Sequence, residues 1–182
     1  YTRQVLSAYF WEKDAQDIGR TAVRALLYEV SATPKPGLVD RYNSGAHSDM
    51  DFFTFLDSAT VLYPYFFRCA QVGMENCQRN PRTWIESLRV QGILAEKQML
   101  DATNGVNTHK GAIYSLGSIC VAAGILSGRG QKKTPEQLCE LAGELGVADL
   151  ESRRHDFSQP GKLPAVPVTQ NTGARKEVSN GF

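Results

Sequence analysis

Apolar residues recur at helical spacing through most of the chain, and short segments rich in proline, glycine and charge interrupt them. Between residues 14 and 32 they fall every four residues, the spacing of one helical face, at Ile18, Ala22, Leu26 and Val30. Similar patterns predict further helices over 51–73, 82–102, 109–127 and from Thr134 onward. No stretch alternates apolar and polar residues as a strand does, so the fold is predicted to be an all-α multi-helix bundle.

Several residues at the predicted helix boundaries are good capping residues. Thr108 is predicted to be the N-cap of the helix that follows it, and Thr134 that of the last helix. Ser48 and Asp49 are alternative caps for the helix that begins near residue 51. Pro64 lies inside that helix and is predicted to kink or split it.

Two regions lack a clear period. Residues 1–13 contain several aromatic side chains, and we interpret them as a short lead-in helix or an arm. Residues 153–171 are polar and rich in proline, so they are predicted to form a mobile loop.

The segment 33–49 separates two predicted helices and carries an unusual concentration of charge. Two prolines and two glycines prevent a helix from running through it. Its charged and titratable residues are Lys35, Asp40, Arg41, His47 and Asp49. A long, polar, ordered loop is often a functional site. A solvated loop stiffened by proline is the alternative.

Glu29 lies one helical turn before this segment and close to the apolar face of its own helix. A carboxylate near the core needs a polar partner, so Glu29 is either part of a site or a boundary residue whose charge reaches solvent.

A second segment, residues 103–111, leads into the helix predicted at 109–127. The free N–H groups at a helix start, together with Lys110 in the first turn, favour an anion. A lysine in the first turn opposes the helix dipole, so a negative group is expected nearby. Taken alone, this motif is weak, because a helix cap would also explain Thr108.

Composition narrows the function classes. The net charge of +1 indicates neither a nucleic-acid partner nor a membrane partner. No apolar run reaches the length of a membrane span and the first residues do not resemble a signal peptide, so a cytoplasmic protein with a single domain over 1–182 is expected. No zinc spacing links the cysteines, which are predicted to be reduced and mostly buried: Cys69, Cys77, Cys120 and Cys139.

The basic residues and aspartates of the two segments suit a polyphosphate with Mg²⁺. The chain has no Walker A loop, no dinucleotide fingerprint and no HExxH motif. The residues alone therefore indicate a metal-assisted reaction on a nucleotide, carried out on a helical scaffold.

Three motifs closely resemble the signatures of the triphosphoribosyl-dephospho-CoA synthase family. The first motif is TPKPGLVDR at 33–41 with NSGAH at 43–47 and Asp49-Met50. The second motif is GVNTHKGAI at 105–113 with SLG at 115–117, and the third is TGAR at 172–175 with Glu177 and Gly181. The resemblance runs from about Asp14 to Phe182.

This resemblance implies a transferase that moves the 5-triphosphoribosyl group of ATP to the 2′-hydroxyl of 3′-dephospho-CoA and releases adenine. The product would be the prosthetic-group precursor of citrate lyase, or of malonate decarboxylase in a related branch. A separate transferase would then place it on the acyl carrier protein. The resemblance also implies that the proline- and glycine-rich segment 33–49 is the active-site loop.

Site residues can be assigned to this reaction as expectations. Cleavage of a ribosyl C–N bond passes through an oxocarbenium-like state and needs phosphate binding and proton transfer. The residues expected to do chemistry are Glu29, Asp40, His47, Asp49 and His109. Those expected to hold the nucleotide are Lys35, Arg41, Asn107, Thr108, Lys110, Gly111 and Arg175. Mg²⁺ is expected on Asp40, Asp49 and Glu177.

Family members continue beyond the third motif with further helices, so the chain is expected to lack the C-terminal part of the family. A non-catalytic helical module that binds a nucleotide or CoA is therefore one alternative, and a structural subunit of a lyase assembly is another. The aromatic N-terminal residues and the helix over 51–73 are candidates for a homodimer contact.

Overall fold

The computed structural model describes residues 2–157 and 173–182, with side chains from residue 9 to 152 and from 173 to 182. Every regular element in these ranges is helical, as the hydrophobic pattern predicted. The α-helices are α1 (Thr2–Ser31), α2 (Phe52–Val61), α3 (Tyr63–Glu75), α4 (Ile85–Ala102), α5 (Lys110–Gly128), α6 (Pro135–Phe157) and α7 (Ala174–Ser179). A 3₁₀ turn, Pro81–Thr83, precedes α4.

The core forms where α3 and α5 pack against each other. A Cβ added at Gly73 would lie 2.2 Å from the carbonyl oxygen of Val121, and one added at Gly124 would lie 2.1 Å from that of Ala70. The two backbones approach this closely only because glycine has no side chain there. Helix α1 packs on the same pair, while α6 and α7 cover α5.

Helix α5 is both the central helix and the most apolar one. Among the described residues it alone has the length and hydropathy of a membrane span, with 19 residues and a mean hydropathy of 1.5. The expectation that no apolar run reaches that length is therefore wrong. Half of this helix is buried inside the molecule, against α3 and its neighbours, and that burial accounts for its apolar character.

Pro64 splits the helix predicted over 51–73, as expected. Helix α2 ends at Val61 and α3 begins at Tyr63, with the proline in the first turn, where no intrahelical N–H is required. The predicted caps of α2, Ser48 and Asp49, are wrong.

Asp51 is the actual N-cap of α2. Its carboxylate accepts from the backbone N–H of Thr54, and the Thr54 hydroxyl accepts from the backbone N–H of Asp51. This reciprocal capping box satisfies two N–H groups at once, which neither candidate cap upstream does.

Two helices extend beyond their predicted ends. Helix α1 already begins at Thr2, so the predicted lead-in residues continue it. Helix α6 continues to Phe157, so the loop predicted from residue 153 is wrong for 153–157. No helix-breaking proline lies between residue 153 and Pro160, and adding one residue to a formed helix costs little free energy. The remainder of that predicted loop, 158–171, lies outside the described residues.

The cysteines agree with the prediction of reduced thiols. All are free, and three of them are buried: Cys69, Cys77 and Cys120. Burial raises the pKa of the Cys69 thiol to about 12, which keeps it protonated at neutral pH.

Candidate functional site

The first motif forms an ordered loop between α1 and α2. Gly37 and Gly45 both have positive φ, 79° and 57°. The backbone N–H of Ala46 donates to the carbonyl of Gly37 across the loop at 3.3 Å. At Gly45 an added Cβ would lie 2.6 Å from backbone atoms of Gly37 and Leu38. The loop therefore doubles back on itself at a point where only glycine fits.

We expect Gly45→Ala to destabilise this loop more than Gly37→Ala. Both variants place a side chain at positive φ, which costs roughly 1–2 kcal/mol. Only Gly45 adds a backbone clash, since a Cβ at Gly37 meets nothing within 4 Å. Thermal unfolding and limited proteolysis of both variants measure the difference. Equal losses of stability would show that the close approach does not constrain the loop.

Asp40 organises the loop from within. Its side chain is buried, and its Oδ2 accepts from the Thr33 hydroxyl at 2.8 Å and the Lys35 backbone N–H at 3.2 Å. Its Oδ1 accepts from the backbone N–H groups of Tyr42 at 2.8 Å and Asn43 at 3.0 Å, and from the Asn43 side-chain amide at 3.3 Å. A carboxylate has about four lone-pair sites, and these bonds use all of them.

These bonds also fix the charge of Asp40. The backbone N–H of Tyr42 is the main cause that lowers the pKa of this carboxyl to about 2, with further lowering from Thr33, Asn43 and Lys35. The group is thus ionised at neutral pH but has no lone pair to spare for a proton or a metal. The geometry favours a role in shaping the loop over the predicted roles of general base and Mg²⁺ ligand.

An ion pair joins the end of α1 to the loop. The Nζ of Lys35 lies 2.7 Å from Oε1 of Glu29, with the lysine side chain largely covered and the carboxylate about half exposed. Glu29 therefore has the polar partner that its position beside the apolar face required. Two predicted site residues, one from the helix and one from the loop, are brought together here.

The second motif starts α5, although not with the predicted cap. His109 occupies the N-cap position and makes no side-chain capping bond, so Thr108 as N-cap is wrong. Asn107 caps instead, its Oδ1 accepting from the backbone N–H of Lys110 at 3.3 Å. The N–H groups of Gly111 and Ala112 have no acceptor among the residues that the structure describes. The helix start thus offers unpaired donors.

Lys110 has the negative partner that its position in the first turn called for. Its Nζ forms an ion pair with Oε1 of Glu96, which lies on α4. The lysine side chain is 57% exposed, so the amine is accessible to a further anion.

His109 is buried in a pocket built by α2 and α4. Its Nδ1 lies 2.7 Å from the hydroxyl of Ser58, which accepts from the Thr108 hydroxyl at 2.6 Å. The ring packs against the edge of Phe55 with centroids 5.1 Å apart, and the His109 backbone N–H donates to Sδ of Met99 at 3.1 Å. The Nε2 atom is buried without a partner among the described residues.

Burial lowers the pKa of His109 to about 4, against an opposing effect of the Glu29 charge. His109 is therefore neutral at pH 7 and suits a hydrogen-bonding role better than a cationic phosphate contact. Helix α1, which ends just before the first motif, packs against α5, which begins in the second motif.

The third motif lies against the second. A Cβ at Gly111 would lie 3.8 Å from the Cβ of Ala174, and the guanidinium of Arg175 lies over the Tyr114 ring at 5.6 Å. Arg175 thus belongs to the same end of α5 as the predicted phosphate-binding residues. Glu177 is exposed on α7.

Other predicted residues stay at the surface of the loop. Arg41 lies over the ring of Tyr42 at 5.0 Å, and Nδ1 of His47 lies 3.8 Å from the exposed carboxylate of Asp49. Within the described ranges, no three His, Cys, Asp or Glu side chains gather into a metal site. The structure thus does not gather Asp40, Asp49 and Glu177 into one cluster, and their assignment to Mg²⁺ stays a prediction.

A separate open groove of about 520 Å³ lies between the 3₁₀ turn, α6 and α7. None of the predicted site residues lines it. The predicted site is a surface assembled around a loop and a helix start.

Sequence reasoning missed Ser58 and Glu96. Ser58 is one of the buried positions of an apolar helix, three residues after Phe55 and four before Leu62. A serine within an apolar helical stripe is a signal that a polar partner is near. Glu96 had no such signal, because its partner is in another part of the chain.

Comparison with known proteins supports the resemblance of the three motifs. The family model described as ATP:dephospho-CoA triphosphoribosyl transferase matches residues 15–182. The chain belongs to this family. The match includes all three motifs, as the resemblance predicted.

Curated relatives of this transferase family share substantial identity with the chain. A 2-(5''-triphosphoribosyl)-3'-dephosphocoenzyme-A synthase of Pectobacterium atrosepticum is 41% identical over 183 residues, and a probable synthase of Pectobacterium carotovorum is 37% identical over 184 residues. Each alignment covers 100% of this chain but 61% of the relative. A probable synthase of Streptococcus equi subsp. zooepidemicus is 50% identical over 114 residues, 63% of this chain and 39% of the relative. No solved structure matches the chain.

Proposed function

We propose that this protein transfers the 5-triphosphoribosyl group of ATP to the 2′-hydroxyl of 3′-dephospho-CoA and releases adenine. One observation supports the proposal beyond family membership: the Glu29–Lys35 ion pair joins the first-motif loop to α1, and α1 packs against α5, the helix that the second motif begins. Together these elements have cationic groups, free backbone donors and a carboxylate, which this reaction requires.

Lys35, Lys110 and the N–H groups at the start of α5 would hold the triphosphate. Both lysines are paired with carboxylates, Glu29 and Glu96, so their side chains are held in place before phosphate arrives. Phosphate oxygens compete for the lysines and also reach the N–H groups of the helix start. Arg175 and Arg41 are further proposed phosphate contacts at the edge of this surface.

Glu29 is the proposed proton acceptor for the attacking hydroxyl. When a phosphate group of ATP binds the Lys35 amine, the Glu29 carboxylate loses its ion-pair partner and becomes a better base. A negative charge at this position would also stabilise the oxocarbenium-like transition state at the ribose. His47 and Asp49 stay candidates for proton transfer at the loop surface.

Mg²⁺ is proposed to bind together with ATP. It commonly binds one or two carboxylates together with substrate phosphate oxygens and water. Asp49 and Glu177 fit that mode singly, because each residue is exposed. Such an ion would neutralise charge on the triphosphate.

The decisive experiment is incubation of the protein with ATP, Mg²⁺ and 3′-dephospho-CoA, followed by mass detection of free adenine. Adenine that appears only when both substrates are present supports the transfer. Binding of ATP or CoA without adenine would instead identify a non-catalytic binding module.

We expect Lys35→Met to raise the KM for ATP by about 10- to 100-fold. Loss of a hydrogen bond to a charged group costs about 1.5–3 kcal/mol, which corresponds to that range. Lys133→Met is the matched control, since Lys133 also forms an ion pair, with Asp14, but lies outside the site. Initial rates at varied ATP concentration give the comparison. An unchanged KM for Lys35→Met would remove Lys35 from the phosphate site.

The pathway belongs to the proposal as well. We propose that the product is the precursor of the citrate lyase prosthetic group, with malonate decarboxylase as the alternative recipient, and that it passes to an acyl carrier protein transferase. A cytoplasmic location and a homodimer stay predictions. The exposed aromatic rings of Tyr9 and Phe10 on α1 are consistent with a homodimer contact.

A further inference from the structure

Ser58 is a buried polar residue for which the proposed reaction has no role so far. Its side chain is fully buried on α2, whose other buried residue is Ala59. It contacts Thr108 and His109, which follow it in sequence by 50 and 51 residues. A buried hydroxyl that reaches across the fold to the second motif holds that motif in place.

The hydrogen bonds around Ser58 determine where the proton of His109 resides. Thr108 donates its hydroxyl proton to Ser58 at 2.6 Å, which leaves the Ser58 proton available to Nδ1 of His109 at 2.7 Å. A neutral imidazole carries one proton, which then lies on Nε2. That nitrogen is buried and has no acceptor among the described residues.

An unpaired N–H donor inside a folded protein is uncommon and calls for an explanation. The ring cannot turn freely to find water, because Ser58 holds one nitrogen and Phe55 packs on it edge to face. His109 directly precedes Lys110 at the start of α5, where the N–H groups proposed to hold phosphate lie. The donor is therefore fixed next to the surface on which ATP is proposed to bind.

We propose that Ser58 is a positioning residue that keeps His109 in its Nε2-protonated tautomer, so that a neutral N–H donor serves the nucleoside part of ATP. This inference rests on the proposed function and specifies it further. The purine nitrogens and the ribose oxygens are the uncharged acceptors available on ATP. Lys35 and Lys110, which are cationic, serve the phosphates.

The tautomer can be read from the wild-type protein without any assay of activity. Proteins labelled with ¹⁵N-histidine give separate ring-nitrogen signals for the two neutral tautomers, and the His109→Gln variant assigns the signal. We expect protonated Nε2 and bare Nδ1 at neutral pH. A proton on Nδ1 would overturn the inference even if the protein forms adenine.

Binding tests the second half of the proposal, with ATP and inorganic triphosphate as separate probes. Ser58→Ala is expected to weaken ATP binding by about tenfold, which is the lower end of the loss seen when a functional histidine loses the residue that orients it. Binding of triphosphate is expected to stay unchanged. Ser58→Thr keeps a hydroxyl and should restore both the tautomer and ATP affinity. Ser118→Ala is the control, since that buried serine bonds to the Tyr114 carbonyl of its own helix.

Equal weakening of ATP and triphosphate binding in Ser58→Ala, or no weakening of either, would overturn the role in nucleoside recognition. Normal triphosphate binding by the variant shows that it is folded. If the protein makes no adenine but the tautomer and the selective loss of ATP affinity are observed, the inference stands and the proposed transfer fails.

Discussion

Replacing Asp40 with asparagine is expected to lower the proposed release of adenine on the order of 100-fold, because the first-motif loop loses its internal anchor. The asparagine side chain would keep one acceptor oxygen but turn an NH₂ group toward donors that now bond the carboxylate. Those donors would be left unpaired or would move away. A displacement of about 1 Å in groups that position a substrate costs rates of that order.

Hydrogen exchange separates this explanation from a direct chemical role. The backbone N–H groups of Tyr42 and Asn43 are held by Asp40, so they should exchange much faster in Asp40→Asn than in the wild type. If Asp40 were a general base or a magnesium ligand, Asp40→Asn would instead lower the rate of adenine release while the loop N–H groups stayed protected from exchange. Asp57→Asn is the control, because that exposed carboxylate lies on the next helix outside the site.

Acidification is expected to destabilise the protein in two distinct steps, of which the first belongs to His109. Its pKa is about 4 when folded and about 6.5 when unfolded, so below pH 6.5 the unfolded chain binds a proton that the folded chain does not. The free energy of unfolding should fall by up to about 3 kcal/mol between pH 6.5 and pH 4. Asp40 follows in a lower window, as its stabilising charge is lost only between pH 3.8 and about 2.

Denaturant unfolding at a series of pH values measures the first step. His109→Gln should remove most of the decline between pH 6.5 and pH 4, while His47→Gln should keep it, because His47 is exposed on the loop. If both variants decline as the wild type does, another group controls the acid sensitivity and the burial of His109 is not its cause.

The elements of the fold could be predicted because their causes are local. Apolar spacing fixes which face of a helix is buried, and Pro64 prevents one helix from running continuously from 51 to 73. The glycines of the first motif likewise predicted a break between α1 and α2, which the structure has. Helix ends were predicted less well.

Thr108 shows why helix ends resist prediction. Its hydroxyl is as suitable for capping as any other threonine, but a tertiary partner, Ser58, takes it. Asn107 then supplies the cap. Competition between a local and a distant hydrogen-bond partner cannot be read from neighbouring residues, because the distant partner lies 50 residues away in sequence.

By itself the sequence determined the helical architecture, the ordered loop and the family, since spacing, turn residues and motifs are properties of contiguous residues. Tertiary structure alone decided which groups of the candidate site contact each other. It surrounded Asp40 with donors, paired Lys35 with Glu29 and Lys110 with Glu96, and buried His109 against Ser58. These contacts depend on burial and on the distance between groups far apart in the chain, and both arise only when the helices pack.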